Sequence, residues 1–439
     1  MTRPAWVVRP SGPLRGVVAV PGDKSVSHRV MLLGAVASAP LVARGFLRSA
    51  DCLATRRAVE TLGATVEDLP DGRVRVSPPR RLHQPGIPLD FGNSGTGLRL
   101  MTGLLAGRHI DAELTGDESL RRRPMERVAA PLRRMGAVLE TSAGCPPVRI
   151  RRSGPLCPIE YDLPVASAQV KSALLLAGLA ATGRTVVRQP AVTRDHTERL
   201  LAALGCPVEM GSWGAALAGP CRPRGGDVIV PGDFSSAAFF IVAGLLAAGE
   251  DPLVLTGVGL NPTRTGLLDI LRLMGARIEA RDWREACGEE VAELRIWRSP
   301  LRGIDVPPEL VPLAIDEFPV LFVAAALAQG TTRVRGAEEL RVKESDRLGV
   351  MARALVASGI EVTEHPGGLD IKGGRLRGGT VDSGGDHRVA MAFAVAATRA
   401  EQPVRILDVA NVATSYPGFA IDAVRLGIEL EALDGGDAK

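Results

Sequence analysis

The chain has 439 residues, 46% of them hydrophobic and 23% charged, with 53 Lys and Arg against 49 Asp and Glu. That length and apolar content suffice for two domains with cores of their own. A formal net charge of +4, basic residues scattered in twos and threes, and few aromatics (4 Trp, 2 Tyr, 9 Phe) exclude the concentrated basic, stacking surface of a nucleic-acid binder. The six cysteines (Cys52, Cys145, Cys157, Cys206, Cys221 and Cys287) form no CxxC pair. The N-terminus has no apolar leader, and apolar runs such as FFIVAGLLAAG fall short of the ~20 residues needed to span a bilayer. A soluble, cytoplasmic protein with reduced thiols is expected.

In chain order, a strand over about 5–20 leads into VPGDKSVSHR (20–29). There Lys24 and Ser25 open a helix, and Ser25 and Arg29, four apart, share a face. A second helical pattern ends at TLGATVE (61–67), where Gly63 occupies the position at which helices close in a left-handed residue, and a β-branched stretch follows. Both signals then recur. The segments DFGNSGTGL, LPVASAQVK, VPGDFSSAA, LAIDEFPVL and DSGGDHRVA each begin an Ala- and Leu-rich helix with small, Ser/Thr or Asp residues suited to N-capping. The segments RMGAVLE, ALGCPVE, LMGARIE, ASGIEVT and RLGIELE repeat the helix-ending glycine at Gly136, Gly205, Gly275, Gly359 and Gly427.

The glycines are spaced about 70 residues apart, with a longer fifth unit. The chain therefore reads as six α/β units, each strand, helix, strand, helix, strand with one more strand. VPGD returns at 230–239 as VPGDFSSAAF, three units on. That echo divides the six units into a three-unit domain over 22–231 and a second three-unit domain formed by 1–21 and 232–439. The crossings near Pro21 and Pro231 would act as hinges.

Cationic residues gather at the helix starts. Lys24, Ser25 and Arg29 occupy the first; in LRRRPM, Arg123 precedes Pro124, which suits a first helical turn; ELRVKESDRL spaces Lys343 and Arg347 four apart, with Glu344 between; and Asp386, His387 and Arg388 open the last. Helix N-termini carry unpaired N–H groups and the positive end of the macrodipole, so they attract anions. The recurrence of cations at equivalent places in repeats points to an anion-binding cleft. GDKS lacks the Walker A frame, GNSGTG has no acidic ribose partner, and neither HxxxH nor a Cys/His cluster of zinc spacing occurs. No metal or organic cofactor is expected.

The motifs PGDKSVSHR, GNSGTGLRL, RRRPM, PVASAQVKSALLLA, TRDHTE, IDEFP, RVKESDRL and DHRVAM, in that order and closing with NVATSYPGF, resemble those of the 5-enolpyruvylshikimate-3-phosphate synthase family over nearly the whole chain. The resemblance implies an α/β fold of two domains, each of three βαβαββ units, an enolpyruvyl transferase-like inside-out α/β barrel with its active site in the interdomain cleft. It implies transfer of the enolpyruvyl group of phosphoenolpyruvate to the 5-hydroxyl of shikimate 3-phosphate, a cytoplasmic step of chorismate and aromatic amino-acid biosynthesis, in a monomer without cofactors. The partners are small anions, and neither nucleic acid nor membrane is implied.

Carried across by residue, the resemblance assigns shikimate 3-phosphate to Lys24, Ser25, Arg29, Ser167, Ala168, Gln169, Arg194, Asp316 and Lys343. Phosphoenolpyruvate falls to Lys24, Asn93, Gly95, Arg123, Gln169, Lys343, Arg347, His387 and Arg388. Asp316 is the base for the hydroxyl, with Glu344 and Lys24 as acids at carbon. It also implies an open form that closes on shikimate 3-phosphate.

This sequence departs from the family pattern in places. Ala168 replaces a second serine, Arg194 a tyrosine and Glu339 an asparagine, and Ser-Tyr-Pro follows Thr414 where others carry a lysine. Gly95, where one branch carries alanine, implies sensitivity to the inhibitor glyphosate, although Leu100 and Ala168 differ from the sensitive type. Two alternatives stand beside this reading. The UDP-N-acetylglucosamine enolpyruvyl transferases need a Lys-Asn pair and a loop cysteine, whereas here Lys24 precedes Ser25, and Cys145 in AGCPP lies where a structural role is expected. A non-catalytic RNA-end-binding relative would share only the architecture.

Overall fold

The computed structural model describes residues 3–433. These form two compact units: one comprises Gly22–Pro231 with Glu285–Glu289, the other the remaining described residues. The first contains helices α1 (Lys24–Gly34), α2 (Ala50–Thr61), α3 (Gly95–Leu105), α4 (Glu126–Arg134), α5 (Ala168–Gly178) and α6 (His196–Ala203). The second contains α7 (Phe234–Ala247), α8 (Gly266–Leu273), α9 (Phe318–Ala326), α10 (Arg347–Ala357), α11 (His387–Ala397) and α12 (Phe419–Arg425). Each unit buries a separate hydrophobic core.

The repeat is plain in the block around α3 and α4. Leu89–Asp90 runs parallel to Ala112–Thr115 through α3, as a βαβ crossover requires, and Ala112–Thr115 pairs antiparallel with Cys145–Arg151, which pairs antiparallel with Val138–Ser142. The period of two sorts the residues: Leu114, Leu139, Val148 and Ile150 face the core, while Glu113 and Arg149, directly opposed, form an ion pair at 2.8 Å on the outer face. Among the described residues six sheets follow this βαβαββ plan, five of four strands and one of three. In the three-stranded sheet the missing strand shrinks to two isolated parallel bridges, Arg302 to Gln329 and Asp305 to Arg333. Pro307 and Pro308 come after Val306 and have no N–H to extend the ladder.

The glycine series sits where the spacing places it. Gly63, Gly136, Gly205, Gly275, Gly359 and Gly427 close α2, α4, α6, α8, α10 and α12 with φ of 94°, 94°, 77°, 97°, 90° and 98°. A Cβ is strained in that region, which fixes the residue type.

The two VPGD turns exchange strands. Val17–Ala19, before the first turn, pairs in parallel with Leu253–Gly259, and Gly226–Ile229, before the second, pairs in parallel with Leu41–Arg44. Glycine is needed because a Cβ on Gly22 would lie 1.7 Å from the Gly45 carbonyl oxygen, and one on Gly232 2.7 Å from that of Gly257. The aspartates are the caps: Asp23 Oδ1 accepts from the Val26 N–H and Asp233 Oδ1 from the Ser235 N–H, both at 2.8 Å. The Ser235 hydroxyl plays no part in capping and donates to Glu317 Oε1.

Two further expectations need correction. The segment read as one strand over 5–20 is two strands, Ala5–Arg9 and Val17–Ala19, interrupted where Pro10, Gly12 and Pro13 fall. Pro124 does not enter a first helical turn, because α4 begins at Glu126 and Arg123 ends a 3-10 turn over Leu120–Arg122.

The first helix of each repeat is buried on nearly all sides, and in α7 and α9 every residue is buried. The second helices bury one stripe, as α4 does with Val128, Ala129 and Leu132 while Glu126 and Arg133 pair at 2.7 Å outside. Among the described residues no helix is long and apolar enough to cross a membrane. The inner helices touch through small residues, and a Cβ on Gly103 of α3 would meet the Ala173 carbonyl oxygen of α5 at 2.2 Å. Gly103→Ala gains helix propensity but forces α3 and α5 apart, and overpacking of this kind costs about 1–3 kcal/mol. A thermal melt should show the midpoint falling by roughly 2–10 °C; a raised midpoint would contradict the contact.

Candidate functional site

In the first unit, capping by Asp23 leaves Lys24 and Ser25 at the open end of α1. Lys24 Nζ is held by Asp51 Oδ2 at 2.8 Å, an ion pair the sequence does not announce because Asp51 lies on α2. Arg29 faces inward: it is buried, its Nε donates to Thr197 Oγ1 at 2.6 Å, Nη1 to the Ser25 carbonyl at 2.8 Å and Nη2 to Ser172 Oγ at 2.9 Å. Burial lowers its pKa to about 10 against the opposing pull of Glu198 and Asp23, and Arg194, half-buried just before α6, adds to the lowering. Sharing a face with Ser25 thus means a side-chain-to-main-chain bond, with the guanidinium packed inside the unit.

A second group surrounds the start of α3. Asn93 Nδ2 donates to Asp117 Oδ2 at 2.9 Å, and Asn93 Oδ1 accepts from Arg123 Nη2 at 2.6 Å. Of the three consecutive arginines, Arg121 and Arg122 are exposed and Arg123 turns inward. Gly95 is buried beside them; a Cβ there would stand 3.0 Å from Arg99 Nη1 and 3.3 Å from Arg123 Nη1. Arg99 Nη1 donates to Gln169 Oε1 at 2.7 Å, and Gln169 Nε2 to Thr96 Oγ1 at 2.9 Å. Gln169 therefore joins the α3 and α5 starts, with Ser167 as the α5 cap and Ala168 as its first residue. Arg99 lies in the motif GNSGTGLRL, one turn after Gly95, and that spacing could have flagged it.

Deeper in this unit, Lys171 and Glu198 form a buried pair at 2.8 Å, with Lys171 also donating to Gln189 Oε1 at 3.0 Å. His28 is buried between Thr55 Oγ1, 2.8 Å from Nδ1, and Ser94 Oγ, 3.4 Å from Nε2. Desolvation, helped by Lys24 and Arg29, depresses its pKa to about 3, so it is neutral at physiological pH.

In the second unit the residues near 316, 344 and 387 converge. Arg347, the first residue of α10, is 1% exposed, and its guanidinium reaches three carboxylates: Nε donates to Asp386 Oδ2 at 2.8 Å, Nη2 to Glu344 Oε2 at 2.7 Å and Nη1 to Asp316 Oδ1 at 3.4 Å. Burial alone would lower its pKa, but Asp386, Glu344 and Asp316 outweigh it and hold the pKa above the ordinary arginine value. Asp386 caps α11 by accepting from the Arg388 N–H at 2.9 Å, and although burial opposes its charge, Arg347 holds its carboxyl below the usual range. Lys343 Nζ sits 3.6 Å from Asp316 Oδ1 and 2.9 Å from Glu339 Oε1. His387 is buried at the start of α11, and Arg388 Nη1 donates to the Asp316 carbonyl at 3.0 Å.

The expected site residues thus form two clusters: Lys24, Ser25, Arg29, Asn93, Gly95, Arg123, Ser167, Ala168, Gln169 and Arg194 belong to the first unit, and Asp316, Lys343, Glu344, Arg347, His387 and Arg388 to the second. Among the described residues, no three His, Cys, Asp or Glu side chains are grouped to hold a metal ion. What the clusters offer is guanidinium and ammonium donors at helix starts, which suits anions, and carboxylates beside them, which suits proton transfer.

A family model described as EPSP synthase (3-phosphoshikimate 1-carboxyvinyltransferase) matches residues 8–422. The chain is 55% identical to a 3-phosphoshikimate 1-carboxyvinyltransferase of Alkalilimnicola ehrlichii, over 98% of this chain and 97% of the relative. It is 52% identical to one of Methylococcus capsulatus, over 96% and 97%. Among solved structures, an EPSP synthase from Acinetobacter baumannii is 44% identical with a TM-score of 0.89, covering 98% of this chain and 100% of that one. The enolpyruvyl transferase NikO from Streptomyces tendae shares the fold, with a TM-score of 0.80 at 20% identity over 99% of each chain.

The buried neutral His28 has a consequence for stability. Its folded pKa of about 3 lies below the ordinary 6.5, so between those values the unfolded chain binds a proton that the folded protein refuses. Stability is therefore lost as pH falls, by about 1.4 kcal/mol per pH unit once below the unfolded pKa. Denaturant titrations from pH 6.5 to 5 should find wild type losing about 2 kcal/mol more than His28→Asn. Parallel pH dependences would refute the burial of a neutral imidazole.

Proposed function

The chain belongs to the EPSP synthase (3-phosphoshikimate 1-carboxyvinyltransferase) family, which transfers the enolpyruvyl group of phosphoenolpyruvate to the 5-hydroxyl of shikimate 3-phosphate with release of phosphate, and from that membership we propose how its residues divide the work. Lys24, Ser25, Ser167, Ala168, Gln169 and Arg194 bind shikimate 3-phosphate, with Arg29 shaping the α1 start from inside. Arg123, Arg347 and Arg388 clamp the carboxylate and phosphate of phosphoenolpyruvate, assisted by Asn93, Gly95 and His387. The planar guanidinium fork matches both anionic groups. Lys343 and Gln169 serve both substrates. The tight space over Gly95 supports a pocket sized to phosphoenolpyruvate, and with it sensitivity to glyphosate.

In the addition half, the 5-hydroxyl attacks C2 of phosphoenolpyruvate and its proton passes to Asp316, while C3 gains a proton and becomes a methyl group. Elimination reverses the traffic: C3 loses a proton, the C2=C3 bond reforms and the C2–O bond to phosphate breaks. Glu344 and Lys24 are the groups for the proton at C3. The observation that carries this division is the single guanidinium of Arg347, bonded to both Asp316 and Glu344. One cation that holds the phosphoenolpyruvate anion also orients the two carboxylates that move protons around it. Two anionic substrates, thiols that are all free and the absence of a membrane-spanning helix among the described residues suit a cytoplasmic enzyme, which we take to be monomeric.

Phosphate release from phosphoenolpyruvate, with shikimate 3-phosphate or a UDP-N-acetylhexosamine as acceptor, tests the assignment. Release is expected with shikimate 3-phosphate alone. Asp316→Ala should lower kcat by about 10²–10⁴-fold while shikimate 3-phosphate binding, measured by titration, stays within a few-fold. Unchanged turnover would remove Asp316 as the base, and release only with the UDP-sugar would overturn the acceptor.

A further inference from the structure

The VPGDFSS turn carries no cation, yet its side chains lead into the second cluster. Asp233 Oδ1 lies 3.3 Å from Arg264 Nη2, and the same nitrogen donates to Ser235 Oγ at 2.5 Å. Ser235 Oγ in turn donates to Glu317 Oε1. That carboxylate oxygen lies 4.0 Å from Arg264 Nη2 and 3.8 Å from Arg388 Nη1. Asp233, Ser235, Arg264, Glu317 and Arg388 are all buried. Two carboxylates and two guanidiniums, buried except for the part of the Arg388 side chain that stays 11% exposed, form a balanced set in which no charge can be moved cheaply.

Glu317 occupies the N-cap position of α9 but makes no side-chain capping bond. Helix stability alone would favour a short Ser, Thr, Asp or Asn there. A longer acid that forgoes the cap and reaches between two arginines has a different task. Arg388 Nη1 meets two groups from adjacent residues, the Asp316 carbonyl at 3.0 Å and the Glu317 carboxylate, so one edge of its guanidinium is fixed by the Asp316–Glu317 dipeptide.

We propose that Glu317 is the positioning residue for Arg388, and that the second VPGD turn, through Asp233, Ser235 and Arg264, is the anchor that holds Glu317 in place. This rests on the phosphoenolpyruvate-binding role given to Arg388 above. The second VPGD turn thereby sets the orientation of a cation two repeats further along the chain. Glu317 itself touches no substrate and transfers no proton; it decides where the free edge of the Arg388 fork points.

The test is steady-state kinetics of Glu317→Gln, which keeps the shape and the Ser235 contact but removes the charge. KM for phosphoenolpyruvate should rise by about tenfold or more, the effect of losing the ion-pair contact at 3.8 Å, while KM for shikimate 3-phosphate stays within about twofold. The unfolding midpoint should stay within a few degrees of wild type. Arg388→Lys combined with Glu317→Gln should raise KM for phosphoenolpyruvate no further than Arg388→Lys alone, because the two act as one unit. An active wild type with both KM values unchanged in Glu317→Gln overturns the inference alone. So does a parallel rise in both KM values with a fall in the midpoint, which marks a merely structural acid. A wild type inactive with this substrate pair overturns the family assignment and this inference with it.

Discussion

Arg347 cannot be carried to 1% exposure without counter-charge, and the way that charge is supplied organises the second unit. Removing an ion from water costs several kcal/mol even after relaxation, so each buried guanidinium requires carboxylates in good geometry. Asp386 answers through Nε, Glu344 and Asp316 through the two terminal nitrogens. The three come from separate segments: Asp386 caps α11, Glu344 precedes α10 and Asp316 precedes α9. Satisfying one cation therefore locks three helix starts in register. The first unit solves the same problem differently: Arg29 donates to the neutral hydroxyls of Thr197 and Ser172 and to a carbonyl, and burial lowers its pKa even against the pull of Glu198 and Asp23.

The repeat makes this economical. Each βαβαββ block presents one inner helix start, and capping is done by Asp23, Ser94, Ser167, Asp233 and Asp386 in five of the six. Once the backbone N–H groups are satisfied by a short cap, the following one or two positions are released to carry Lys24, Gln169, His387 or Arg388. The fifth block departs from the rule with Glu317, and this departure coincides with a carboxylate directed at Arg388. Duplicated turns diverge without losing their frame because Gly22 and Gly232 are fixed by close backbone approach, which no functional change relaxes.

Local chemistry was legible in the sequence and distant pairing was not. Gly63 and its five counterparts could be read because a left-handed helix end restricts one residue type on its own. The strand alternation and the N-caps are likewise local. Lys24, Arg123, Arg347 and Arg388 stood out as cations at helix starts, but their partners did not: Asp51 is 27 residues from Lys24 and Asp386 is 39 from Arg347. The spacing put Arg29 on one face with Ser25 but did not show its burial, which depends on Thr197, 168 residues away, receiving its Nε. His28 and Glu317 gave no periodic signal; their roles come from packing. Pro124 misled for a related reason, since its preference for a first helical turn was overridden by the 3-10 turn that orients Arg123.

We propose that the Arg347 fork, and not its charge alone, organises Asp316 and Glu344. Arg347→Lys keeps the charge and loses the planar fork, so it can meet one or two of the three carboxylates but not all. The decisive measurement is kcat/KM for phosphoenolpyruvate in that variant at saturating shikimate 3-phosphate, with the unfolding midpoint recorded alongside. A fall of about 100-fold or more is expected, a loss of roughly 3 kcal/mol in transition-state stabilisation, in a protein that still folds. A folded variant with near wild-type kcat/KM would contradict it.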